Sequence, residues 1–200
     1  MNLDVASALW TAANTHGHEG IELEFRVGHM LPTGFSSNIG KDNFETLRRR
    51  LDASSAFSRI VDVETVEIVG GSMKHVTTVS LADPDPKPPP PPFCMTKTGT
   101  FRREFETAQF TVRCSIAVET SVPLRVVSSR LTRRKRRRRY MYKCWAFDLT
   151  EVVSTADVDT EETYEVEIEL VDTGMLFERT MVAMVDWGLA LVDDLVRMLA

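Results

Sequence analysis

The sequence predicts a mainly-β domain with flanking helices. "IELEFRVG" near the start and "TYEVEIEL" near the end alternate apolar and charged residues with the period of two that a strand requires. Between them lies a succession of further strand-like runs, and beyond them residues 175–199 change to the three-four spacing of an amphipathic helix. A chain of 200 residues, 43% hydrophobic, is long enough to bury a sizeable core, so one domain over 1–200 is expected.

In chain order, residues 3–13 form a short helix with Leu3, Ala6, Leu9 and Trp10 toward one side. Gly17 and Gly20 end it before the strand in which Ile21, Leu23, Phe25 and Val27 alternate with Glu22, Glu24 and Arg26. Residues 41–57 fit a second helix carrying Phe44, Leu47 and Leu51. "IVDVETVEIV" and "KHVTTVSL" flank Gly70 and Gly71 as the arms of a hairpin. The run "DPDPKPPPPP", residues 83–92, cannot donate ladder hydrogen bonds and is expected as a surface loop, with peptide recognition as a weaker alternative. Strands are then expected near 93–98, 101–106, 110–119, 123–132, 135–149 and 162–171. Val182, Val185, Leu189, Val192, Val196 and Leu199 place the last segment on the outside of the sheet as one helix.

A net charge of −5 conceals segregation: residues 133–139 are all basic, whereas 148–172 contain ten acidic residues. Cys94, Cys114 and Cys144 form no CxxC and no even disulfide framework, so a reducing compartment is expected. No leader for secretion is read at the start, and Asp186, Asp193 and Asp194 interrupt the last apolar segment, against a membrane span. The histidines and cysteines make no zinc motif, and no GxxxxGK[ST] loop is present.

Glu165, Glu167 and Glu169 project from one strand face, as do Glu22, Glu24 and Arg26. Two carboxylates about 5 Å apart repel by roughly 3 kcal/mol at an effective dielectric near 20. Either both faces are solvated, or the stripes meet cations: divalent metal on the carboxylates and a polyphosphate on the guanidinium groups. In "RRKRRRRYMYKC" alternate positions face opposite ways, but residues 133–139 are all basic and parity does not select the inward set. A solvated basic tract, a nuclear-targeting signal or a nucleic-acid patch is the competing reading.

"IELEFRVG", "FDLTEV" and "YEVEIEL", in that order around the Arg-rich strand, resemble the metal-dependent RNA 5'-triphosphatases of mRNA capping in fungi, protozoa and some large DNA viruses. These are triphosphate tunnel metalloenzymes, and the resemblance, over about residues 19–171, implies a closed antiparallel eight-stranded β-barrel with a charged interior. It implies that Glu22, Glu24, Glu119, Glu165, Glu167 and Glu169 bind Mg2+ or Mn2+. It also selects Lys135, Arg137 and Arg139 as the inward basic residues that hold phosphate, with Arg26, Lys97 and Arg113 as further substrate contacts. Asp148 and Thr150 of "FDLT" match polar positions that support the site. Ala146 stands where the family commonly has arginine, and "KHVTTV" lacks an expected arginine-rich pattern, with Lys74 as a possible substitute.

The implied reaction is hydrolysis of the γ-phosphate from triphosphate-ended RNA, the first step of 5' capping. The competing functions are a general nucleoside or inorganic triphosphatase of the same fold and a non-catalytic RNA-binding barrel. The partners implied are triphosphate-ended RNA, an mRNA guanylyltransferase and a second copy in a homodimer, with no membrane. The implied setting is the nucleus, or the cytoplasm in a viral or parasite context.

Overall fold

A computed structural model describes residues 2–83, 88–126 and 131–199. Its elements are α1 (Leu3–His16), β1 (Ile21–Leu31), β2 (Gly34–Ser36), α2 (Lys41–Asp52), β3 (Arg59–Gly70), β4 (Met73–Ala82), β5 (Phe93–Glu106), β6 (Thr111–Val122), β7 (Leu131–Tyr142), β8 (Trp145–Ala156), β9 (Asp159–Leu170), α3 (Met175–Glu178) and α4 (Met181–Arg197). Strands run in the order β1-β6-β5-β4-β3-β7-β8-β9, every neighbouring pair is antiparallel, and β9 returns to pair with β1. The eight-stranded barrel is therefore closed, as expected, with its shortest seam between β4 and β5, which pair only over Met73–Val76 and Phe93–Thr96.

The apolar half of each alternating strand faces outward. Leu23, Phe25 and Val27 of β1, Val166 and Ile168 of β9, and Cys114 and Ile116 of β6 are fully buried beneath the helices. The hydrophobic core thus lies between barrel wall and helices, which leaves the barrel interior to charged residues. Gly188 shows how closely α4 approaches: a Cβ there would lie 2.9 Å from an atom of the Trp145 ring and would overlap Phe25.

Several elements differ from expectation. Residues 135–149 are two strands, β7 and β8, because the chain reverses at Lys143 in the left-handed region (φ 54°) and at Cys144. Residues 93–106 form one strand whose irregularity between Gly99 and Phe101 exchanges its faces: Lys97 points inward, as do Arg102 and Glu104 beyond it. The segment 175–199 holds two helices, since Thr180 caps a new one by accepting from Ala183 N at 3.2 Å. The second helix stops at Asp52, short of Phe57. On α1 it is Val5, Ala6, Leu9 and Ala12 that are buried, whereas Leu3 and Trp10 are exposed. Strand β2 was not foreseen; it is only three residues long. Pro88–Pro92 are exposed and carry no regular structure, while residues 84–87 of the Pro-rich run and 127–130 of the expected 123–132 strand lie outside the described residues.

Candidate active site

Strand parity brings the two acidic stripes together. Closure pairs Glu24 with Glu169 and Arg26 with Glu167 in direct cross-strand register, so residues from distant parts of the sequence become neighbours on the inner wall. Glu22 joins them from β1, and Lys97 reaches across from β5 to pair with Glu22 while standing 3.5 Å from Glu24 Oε1. Arg26 spans the seam, donating through Nη2 to Glu24 at 2.9 Å and through Nε to Glu167 at 3.0 Å.

The Arg-rich strand supplies the facing charge. Lys135 lies 3.0 Å from Glu67; Arg137 reaches Asp148 at 2.9 Å and Glu167 at 3.1 Å; Arg139 holds Asp148 through two hydrogen bonds at 2.8 and 2.6 Å and Glu169 at 2.5 Å. Lys135, Arg137 and Arg139 therefore face inward. Asp148 and Thr150 are wholly buried, and Thr150 Oγ1 accepts from Arg137 Nε at 3.3 Å. Both stand behind the guanidinium groups and fix their direction. On the other face of β7, Arg134 bonds Glu64 and Arg138 bonds Asp52 and Asp62 outside the barrel.

Between these banks lies a cavity of about 270 Å³, lined among others by Glu22, Lys97, Glu119, Lys135, Arg139 and Glu169. Lys74 also lines it, 3.6 Å from Glu119 and 3.9 Å from Glu67. Lys74 thus stands where the sequence offered it as a substitute, and Glu67 and Arg133 complete the charged interior beyond the residues named from sequence. The alternation of "IVDVETVEIV" carries Glu67 on the face of Val63 and Thr65, and Arg133 shares the parity of Lys135, so both were encoded. Two selected residues stand apart: Glu165 is bonded by Arg133 at 3.0 Å and Ser37 at 3.1 Å, and Arg113 is bonded to Glu104 at 2.9 Å.

Burial and neighbouring charge divide the carboxylates. Burial, countered by Arg26 and reinforced by Glu167 and Glu22, pushes Glu24 up to about 7. Burial likewise pushes Glu169 up to about 7, with Arg139 opposing and Asp148 adding to the rise. Glu167 is buried too, but Arg26, Arg137 and Lys135 outweigh the desolvation and hold it well below the usual carboxylate range. Burial lowers Lys135 against the pull of Glu67, whereas Glu24 and Glu22 raise Lys97 despite its burial.

Among the described residues no three of these carboxylates converge as a metal-binding group; each is turned onto a protein cation instead. The donor set nevertheless fits a hard divalent ion: Glu22, Glu24 and Glu169 are carboxylates on adjoining rigid strands, and the Lys97 ammonium already sits against two of them. Two of the three are carboxyls that the present surroundings leave undercompensated at neutral pH.

Comparison with known proteins gives the same fold. The family described as mRNA capping enzyme, beta chain, matches residues 105–185. The 5'RNA triphosphatase A449R of Paramecium bursaria Chlorella virus 1 is 29% identical over 185 residues, which cover 91% of each chain. The S. pombe Pct1 RNA triphosphatase superimposes with a TM-score of 0.73 at 18% identity, over 98% of this chain and 91% of that one. For the Mimivirus capping enzyme triphosphatase the TM-score is 0.60 at 13% identity, over 98% and 96%.

Proposed function

We propose that the chain is a triphosphate-tunnel RNA 5'-triphosphatase that removes the γ-phosphate from triphosphate-ended RNA, leaving a diphosphate end for capping. The observation that carries this reading is that Glu169, Lys135, Arg137 and Arg139 line one cavity, with Glu24 buried at its wall as the cross-strand partner of Glu169 beneath Arg26 and Lys97.

Metal dependence comes with the family; Mg2+ or Mn2+ is the ion proposed, held by Glu22, Glu24 and Glu169 with Glu119 at the cavity wall. When bound, such an ion polarises phosphoryl oxygens and neutralises part of their charge. Lys97, displaced from the acidic pair, turns to the phosphate chain. Arg137 and Arg139, already aimed by Asp148 and Thr150, hold the γ-phosphoryl oxygens and meet the charge that develops on them, without reorganising at the moment of reaction. Lys135 and Lys74 approach the same chain from the other wall. Arg26 keeps the two acidic strands in register, while Glu167, kept ionised by Arg26 and Arg137, balances the cationic bank.

The cationic groups lining the cavity address phosphates and no base, so nucleoside and inorganic triphosphates fall within the same chemistry as secondary substrates. The diphosphate product is the acceptor for a guanylyltransferase, the partner this function implies. A homodimer and a nuclear or viral cytoplasmic setting belong to the same reading, and sedimentation and imaging of tagged protein test them. Among the described residues no helix is long and apolar enough to cross a membrane.

The test is release of labelled γ-phosphate from triphosphate-ended RNA with and without each metal. Metal-dependent orthophosphate release that is lost in Glu24→Ala, with circular dichroism unchanged, is the expected result. Salt-dependent RNA binding without release would instead make the protein a binding barrel.

A further inference from the structure

The inward positions of β1 are 22, 24, 26 and 28, and the last of them is glycine. A Cβ at Gly28 would overlap the Ser36 carbonyl oxygen and lie 2.7 Å from the Phe35 ring. Where a fourth inward side chain would project, the chain has placed its own hairpin, formed as His29–Leu31 pair with Gly34–Ser36. The next inward layer lies only about 7 Å beyond Arg26, two residues of strand rise.

The hairpin is held on both sides. Arg113, inward on β6 and bonded to Glu104, stacks its guanidinium 4.2 Å from the Phe35 ring centre. Beyond Phe35, Ser37 Oγ donates to Glu165 Oε1 at 3.1 Å, and Arg133 donates to the same oxygen at 3.0 Å. Asn38 Oδ1 accepts from Tyr164 N at 3.1 Å, and Ile39 N donates to Tyr164 O at 3.0 Å. None of Phe35, Ser37, Arg113, Arg133 and Glu165 lines the cavity described above, whose lining includes Arg26 and Arg137.

We propose that residues 34–40 are a depth stop that decides which phosphoanhydride bond is cut. The inference rests on the triphosphatase function proposed above. A triphosphate entering past Glu22 and Lys97 reaches Arg26 and Arg137, and the hairpin packed behind them, with Phe35 and Ser36 over Gly28, leaves no further layer for it to enter. Only the β–γ bond then lies between the acidic pair and the guanidinium groups. Water oxygen bonds to the γ-phosphorus, the bond from that phosphorus to the bridging oxygen breaks, its electron pair stays on the diphosphate end, and the water proton leaves to solvent. Without the stop the chain advances by one phosphate. Water then attacks the β-phosphorus, the bond to the α–β bridging oxygen breaks, and the products are pyrophosphate and a monophosphate end. Glu165, Arg133 and Arg113 are positioning residues for the stop in this account.

The experiment compares wild type with Phe35→Ala/Ser37→Ala on triphosphate-ended RNA in manganese, resolving labelled orthophosphate from pyrophosphate and diphosphate from monophosphate ends. Amide hydrogen exchange across 34–40 is followed in parallel. Wild type should release orthophosphate only. The double variant should exchange at 34–40 about tenfold faster or more and release pyrophosphate in about a tenth or more of turnovers, a rate ratio within tenfold. Ser37→Ala alone, which removes a hydrogen bond and no packing, should give the same product in smaller share. Faster exchange with orthophosphate as sole product overturns the depth stop, and so does exchange that stays unchanged. Wild type that releases no phosphate at all is a different result, since it overturns the triphosphatase function itself.

Discussion

Strand β7 presents one residue type to two environments. On the inner face Arg137 and Arg139 share the wholly buried Asp148, whereas on the outer face Arg138 bonds Asp52 and Asp62, whose side chains are 40% and 52% exposed. The chemistry of the side chains is identical, so the difference lies in their partners and solvent. Inside, pairing is obligatory because an uncompensated charge there costs several kcal/mol; outside, water substitutes for a lost partner at little cost.

The contrast can be broken most sharply at Arg137. Arg137→Ala should lower kcat/KM for triphosphate-ended RNA by about 10²–10³-fold, the scale of removing one preorganised donor to developing charge, while Arg138→Ala should leave steady-state kinetics unchanged. Equal effects from the two would erase the distinction between the faces. Next comes Asp148→Asn, which leaves two guanidinium groups without their shared anion. Chemical denaturation should show a loss of about 3 kcal/mol or more, against a loss within about 1 kcal/mol for Arg138→Ala.

Titration sharpens the comparison further. Glu24 and Glu169 sit near 7 in the folded protein against an ordinary value of 4.5, so between those values the folded state holds protons that the unfolded chain has released. Metal-free protein should therefore melt at a higher temperature near pH 5.5 than near pH 8, its stability falling as pH rises through about 7. The depressed Glu167 acts in the opposite sense, but only in more acid solution, as pH falls below the ordinary value. Manganese displaces the same protons, so its affinity by calorimetry should rise about tenfold per pH unit for each proton released. The smallest effect is the salt response of the outer pairs: about 1 M salt should weaken what little Arg138 contributes and leave the Arg137–Asp148 pair largely unscreened.

Alternation made the acidic faces legible, because Glu22 and Glu24 or Glu165, Glu167 and Glu169 are separated by apolar residues that must go the other way. The same logic fails on β7, where residues 133–139 are all basic and the inward set is decided by Asp148 and Thr150 on the next strand. The reversal at Lys143 was invisible for a related reason: "MYKCWAF" is apolar apart from Lys143 itself and lacks glycine or asparagine, so nothing local marks the turn. The β1–β2 hairpin is short, and its cause, the fit of Phe35 over Gly28, is a contact rather than a pattern.

Closure between the first and last long strands has a consequence for biogenesis. Glu22 and Glu24 are synthesised well before Glu169, so a nascent chain lacking β9 holds the β1 carboxylates without their cross-strand partner. Joining the seam demands contacts across most of the polypeptide, which slows folding. A site built across that seam is complete only once the ring has shut.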